Sequence, residues 1–156
     1  MKYTDFNELA RPYVESAELR EMHKYKAHGK TSVFEHCYLV ARFAYRVCRI
    51  LPFYVDINSV VTGAMLHDYY LYDWHIEDPK HKWHGKTHGH TAYINASKIF
   101  SLTEKEKNII EAHMWPENFK VYPKSKEAVI VSFSDKIQAS IELIYRVKPR
   151  LVLDTI

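Results

Sequence analysis

Cysteine, glycine and proline are all scarce in this chain. Its 156 residues hold two cysteines, four glycines and six prolines, with no internal repeat and no low-complexity run. So few chain breakers mark no domain boundary, and the length suits one compact domain spanning residues 1–156. Two cysteines are too few for a thiolate-rich structural zinc site. Cys37 and Cys48 fall in one predicted helix, where the rise of about 1.5 Å per residue sets them about 16 Å apart. A disulfide needs Cα atoms within about 7 Å, so free thiols in a reducing compartment are expected. No apolar run approaches the roughly 18 residues of a membrane span, and the opening MKYTDFNELA lacks an apolar signal region. A soluble, cytoplasmic protein is therefore expected. A large excess of one charge is missing too: 22 Lys and Arg against 19 Asp and Glu leave +3. That is short of the basic stripe of a dedicated nucleic-acid binder, yet compatible with a small phosphate-bearing ligand.

Alternating β-branched residues are nearly absent, and helical periodicity takes their place, which predicts an all-α fold of six or seven helices. Residues 4–22 read as one or two short helices interrupted near Pro12. Ser32 and Glu35 have capping-box spacing ahead of an apolar stripe running from Phe34 to Leu51, where Pro52 stops the helix. Asp56 is placed to cap a segment from Ile57 to Tyr70 that is apolar on most sides and carries His67 and Asp68 in its last turn. From Asp73 to His90 the pattern breaks into a long loop, a length usually tied to function. Helix resumes at about His90. Thr103 and Glu106 form a second capping box for a short helix ending near His113, and a final long helix after Pro123 and Ser125 has Asp135 at its middle.

The one clear excess is histidine: ten residues, seven of them between His67 and His113. Asp135 lies among Val131, Phe133 and Ile137, where a charge is costly unless it is paired or holds a cation. The same question attaches to the His67–Asp68 pair at the end of an apolar helix and to His36 near the start of another. Each can be satisfied singly by ordinary hydrogen bonds. Together, two imidazoles and two carboxylates, with water completing the shell, suit a six-coordinate Fe, Mn or Co ion. Adjacent helical residues diverge by about 100°, so His67 and Asp68 need neighbouring helices to bring the other ligands.

The ordered pattern of His36, the doublet His67–Asp68 after an apolar helix, and Asp135 within a later helix resembles the HD-domain metal-dependent phosphohydrolases, from about Thr31 to Ser140. A closer likeness is to the two-metal subgroup that includes bacterial diadenosine tetraphosphate hydrolases. His88, in HGHTAYINA, and His113, in IIEAHMWP, match that subgroup's two further histidines. The resemblance implies a single HD domain: helices and loop over 1–30, a metal-site core over 31–140, and a helix end and tail over 141–156. It implies one ion on His36, His67, Asp68 and Asp135, and a second on Asp68, His88 and His113, with Asp68 bridging. Two such ions hold a hydroxide for attack on a nucleotide or other small phosphate ester or anhydride. Fe or Mn is expected, with Co, Ni, Zn or Mg as alternatives. Catalytic roles fall to Asp68 and His67, with Asp73 as an acid–base candidate.

The chain departs from the family in one segment. Many members follow the doublet with Ile-Gly-Lys, whereas this sequence reads HDYYLYDWH. Lys82, Lys86, Lys136 and Arg42 are the candidates to hold phosphate in place of that lysine. Tyr69, Tyr70, Tyr72 and Trp74 either stack on a nucleobase or pack under the loop. His84 and His90 rival His88 as the ligand, while His23, His28, His75 and His81 read as surface or supporting residues. Glu35, Glu111 or Asp73 is expected to fix a ligand imidazole from behind. The rewritten segment leaves room for a non-catalytic regulatory module that binds metal or nucleotide, and the family resemblance leaves room for a di-iron oxygenase. The tail RLVLDTI and the aromatic residues are candidate homodimer contacts.

Overall fold

The computed structural model describes residues 4–79 and 82–145. His81 and the RLVLDTI tail lie outside them. Helices make up the whole of the regular structure among the described residues: α1 (Phe6–Glu15), a 3-10 helix (Leu19–Lys24), α2 (Val33–Ile50), α3 (Ile57–Leu66), α4 (His84–Ala96), α5 (Glu104–Ala112) and α6 (Lys126–Tyr145). A lone bridge between Lys26 and Ser32 closes the turn before α2. No helix among the described residues is long and apolar enough to cross a membrane.

Both predicted capping boxes form. Glu35 N donates to Ser32 Oγ at 3.2 Å while Ser32 N donates to Glu35 Oε2 at 3.0 Å, and Thr103 and Glu106 repeat the exchange at the start of α5. Caps of this kind contribute about 1 kcal/mol each. Asp56 caps α3 as expected, accepting from Ser59 N at 3.2 Å. Helix α3 is the hub: Val60, Val61, Ala64, Met65 and Leu66 are all fully buried. At Gly63 an added Cβ would lie 2.3 Å from Ile109 Cγ2, so the missing side chain is what lets α3 and α5 touch. Cys37 and Cys48 are both free and buried in α2.

Three expectations are corrected. Pro12 does not interrupt α1 but sits inside it, on an exposed face where the lost N–H leaves only a solvated carbonyl. Helix α3 stops at Leu66, four residues short of the expected Tyr70, with His67 as its C-cap. His67 Nδ1–H donates to Ala64 O at 2.7 Å, taking the carbonyl that would receive the Asp68 amide if the helix went on. Leu71 then turns away at φ 59°. Helix α4 starts at His84 instead of about His90, hidden in the sequence by Gly85 and Gly89. Gly89 is used for close approach, since a Cβ there would meet the Ile110 and Glu111 carbonyls at 3.1 Å. The inward face of α6 is only half apolar. Ala128 and Val131 give way to Asp135, Gln138 and Glu142, all buried, while Phe133 and Ile144 face outward.

Candidate metal centre

Four histidines converge from four elements, and each is fixed from behind. His67 and His113 are the C-caps of α3 and α5, and each donates Nδ1–H to the carbonyl three residues earlier, Ala64 O and Ile110 O, at 2.7 Å. His88 donates Nδ1–H to His84 O, one turn earlier on α4, also at 2.7 Å. His36 on α2 donates Nδ1–H to both oxygens of Glu142 at 3.1 Å. A carbonyl or carboxylate can only accept, so Nδ1 carries the proton in every ring and Nε2 is turned inward as a potential ligand atom.

The carboxylates of Asp68 and Asp135 fill the space between these nitrogens. Asp135 Oδ1 lies 3.0 Å from His36 Nε2 and 3.6 Å from His67 Nε2. Asp68 divides its two oxygens. Oδ2 faces His67 Nε2 at 3.7 Å and His36 Nε2 at 4.0 Å, while Oδ1 faces His88 Nε2 at 3.2 Å and His113 Nε2 at 3.5 Å. Three overlapping buried triads result: His36, His67 and Asp68; His67, His113 and Asp135; Asp68, His88 and His113. Ligands about 2.1 Å from a shared six-coordinate ion stand about 3 Å apart when adjacent and about 4 Å apart when opposite, so these separations suit ion binding.

Three observations show that the residues fit metal ions. His67 Nε2 and Asp68 Oδ1 are buried without a hydrogen-bond partner, which ordinarily costs about 1–3 kcal/mol apiece and which a cation would offset. His88 Nε2 and His113 Nε2 stand 2.8 Å apart. With both Nδ1 atoms protonated, their lone pairs meet head-on unless a cation or a shared proton lies between them. Burial pushes the His113 imidazole down to about 3, reinforced by His88 and His67, so its lone pair stays available. Burial also acts to lower His36, but Asp135 and Glu142 on its two nitrogens outweigh that and raise it to about 10. A proton held between carboxylates occupies ground that a cation would take.

The rivals of His88 lie elsewhere. His90 is exposed and paired with Glu111 Oε1 at 2.6 Å. His84 stacks on the His88 ring at 4.3 Å and accepts or donates through Nδ1 to the Tyr72 hydroxyl at 2.8 Å. Glu142, which sequence reasoning missed, does the supporting work expected of Glu35, Glu111 or Asp73. Glu35 is spent on the α2 cap, Glu111 on His90, and Asp73 on the backbone and ring of His75 at 3.0 Å. The available signal was spacing: Glu142 follows Asp135 by seven residues, two turns along the same face of α6.

The remaining candidates are more dispersed. Lys136 Nζ donates to His113 O at 3.0 Å, tying it to the end of α5. Lys82 and Lys86 flank the exposed Trp83 ring at 6.0 and 5.1 Å. Arg42 is half-buried on α2, about 120° round the helix from His36 and about 9 Å along it. Tyr69 and Tyr70 are buried, and Trp74 stacks against His75 and His84 at 4.0 and 5.3 Å. The rings of Tyr70 and Trp74 pack around His84 at the start of α4, whereas the Tyr69 hydroxyl donates to Glu18 O at 3.4 Å.

An all-α bundle whose helices and helix ends aim buried imidazoles and aspartates at overlapping ion positions defines a class of metal-site protein. The HD domain family matches residues 33–140, and the chain belongs to that family. No curated protein and no solved structure matches the chain.

Proposed function

We propose that the chain is a metal-dependent phosphohydrolase, cleaving a phosphoester or phosphoanhydride bond of a nucleotide or related small phosphate compound, in the manner of the two-metal subgroup. The observation that carries this reading is Asp68, whose two oxygens face two different sets of imidazoles. His36, His67, Asp68 and Asp135 would hold one ion, Fe or Mn before Co, Ni, Zn or Mg, and Asp68, His88 and His113 a second. Divalent ions so placed lower the pKa of water and neutralise charge developing on phosphoryl oxygens.

The chain's own groups supply the rest. The Nδ1 anchors keep every ring in one tautomer and orientation, so ligand geometry is set before substrate arrives. Three buried carboxylates, Asp68, Asp135 and Glu142, against two divalent cations leave the pocket net positive and suited to an anion. Lys136, beside the second triad, and Lys82, Lys86 and Arg42 further out are the cations available to a phosphate. At Asp73 the His75 backbone N–H and ring hold the carboxyl below its ordinary pKa, which suits accepting a proton better than donating one.

The test is elemental analysis of protein purified without chelator, then a phosphate-release screen over nucleotides with the metal found. Asp68→Ala should lose both metal and turnover, and retained turnover in that variant ends the reading. One observation favours a second reading, a regulatory module that binds nucleotide without cleaving it. Where relatives place Gly-Lys after the doublet, Tyr70 instead packs edge-on against His84 and His88 at 4.9 and 5.7 Å. Nucleotide binding by calorimetry without turnover under any of these metals would favour it.

A further inference from the structure

The turn before α2 is held on every side. Ala27 N donates to Thr31 O at 2.9 Å and Thr31 N to His28 O at 3.0 Å, and both Ala27 and Thr31 are buried. Gly29 takes φ +60°, and a Cβ on it would stand 3.3 Å from Glu142 O. The turn is therefore pressed against α6 at the level of the residue that anchors His36. His28 is fixed by this framework in a half-buried position. Its ring lies edge-on to His36 at 5.2 Å and to Trp74 at 6.5 Å, and burial, reinforced by His36, lowers its pKa against the opposing pull of Asp68, Glu142 and Asp135.

The rings of His36, His67 and His113 are sealed from solvent, whereas the side chains of Asp68 and Asp135 are each 10% exposed. An incoming ligand meets the centre at those two carboxylates, which His36 Nε2 faces at 4.0 and 3.0 Å, and the His28 ring packs on His36. It belongs to none of the three ligand triads, and no described residue takes or gives a hydrogen bond at its ring nitrogens. The same turn carries Lys26 and Lys30, both exposed. A polar ring locked at the entrance, with unspent nitrogens and flanking positive charge, is equipped to meet an anion.

We propose that His28 contacts the substrate, donating an imidazole N–H to an oxygen of the phosphate group seated at the Asp68–Asp135 opening. The inference rests on the phosphohydrolase reading above. An imidazole keeps at least one N–H in either protonation state, so the contact requires no titration.

The experiment uses the full chain loaded with Mn(II), with inorganic phosphate as the calorimetric probe alongside steady-state kinetics. In His28→Ala, phosphate affinity should fall about tenfold or more, as for loss of a charge-assisted hydrogen bond. KM should rise while metal content and melting temperature stay at parental values. His28→Gln, which restores an N–H, should recover most of the loss. Parental phosphate affinity in His28→Ala overturns this proposal alone, as does a fall in its metal content, which would make His28 part of the metal shell. If the metal-loaded parent neither binds phosphate nor hydrolyses any phosphate compound, both this proposal and the phosphohydrolase reading fall.

Discussion

His36 and Glu142, 106 residues apart in sequence, form a buried pair in which one imidazole N–H is shared by both carboxylate oxygens at 3.1 Å. Gln138 Nε2 donates to Glu142 Oε1 at 3.0 Å, so the carboxylate is itself held in place. The pair joins α2 to α6 across the core and aims Nε2 of His36 at Asp135. Glu142→Ala would strand a buried N–H, at a cost of about 1–3 kcal/mol, and free the ring to rotate. Loss of such an outer partner typically weakens metal binding about 10–100-fold. Metal titration of the variant should show that loss for one ion, with Glu142→Gln milder because its side-chain carbonyl still accepts.

The division of Asp68 between two sets of imidazoles predicts different stoichiometries for different ligand losses. His88→Ala and His113→Ala remove nitrogens that face Asp68 Oδ1, and each should bring the metal content from about two per chain to about one. Asp68→Ala should strip both positions. His90→Ala, which breaks only an exposed pair with Glu111, should leave the content at the parental value. Elemental analysis of the four variants after chelator-free purification reads all three outcomes.

Helix caps and the ligand order were legible in the sequence because they are local. Ser32 with Glu35, Thr103 with Glu106, and Asp56 sit within one turn of what they bond. The doublet, His36, His88, His113 and Asp135 could be picked out by their order along the chain, and the structure brings them together from five helices and their ends. What was hidden depended on contacts between distant segments. The end of α3 at Leu66 follows from a side chain competing for a carbonyl, and the early start of α4 follows from Gly89 docking on α5. Glu142 and His28 were concealed because no periodicity reports which polar side chains α6 turns inward or how the turn before α2 packs on that helix.

Packing at the hub can be tested at Gly63. An alanine Cβ there would stand 2.3 Å from Ile109 Cγ2 and 2.8 Å from Ile109 Cβ. The second of these atoms is next to the α5 backbone and cannot be rotated away. Alanine favours helix over glycine by about 1 kcal/mol, but overpacking a tight core costs about 1–3 kcal/mol, and α5 would have to shift. Gly63→Ala should therefore be net destabilised by about 1–2 kcal/mol in urea unfolding. Because α3 and α5 each end in a histidine of the centre, the variant should lose metal affinity as well.

Asp56 supplies a pH dependence removed from the metal centre. Partial burial would raise its pKa, but the Lys105 ammonium at 2.9 Å, together with the amide and hydroxyl of Ser59, prevails and holds it below the ordinary value. A carboxylate whose folded pKa is depressed contributes stability above its unfolded pKa, about 3.9, and loses it as pH falls through the folded value. Asp56→Asn keeps a side-chain acceptor for the cap but removes the charge facing Lys105. Its melting temperature should lie below the parent's at pH 7. The gap should stay nearly constant down to about pH 5 and close as the parent's Asp56 takes up its proton below about pH 4. A gap that persisted unchanged below pH 3 would mean that the carboxylate acts through its shape and hydrogen bonds, with its charge contributing nothing.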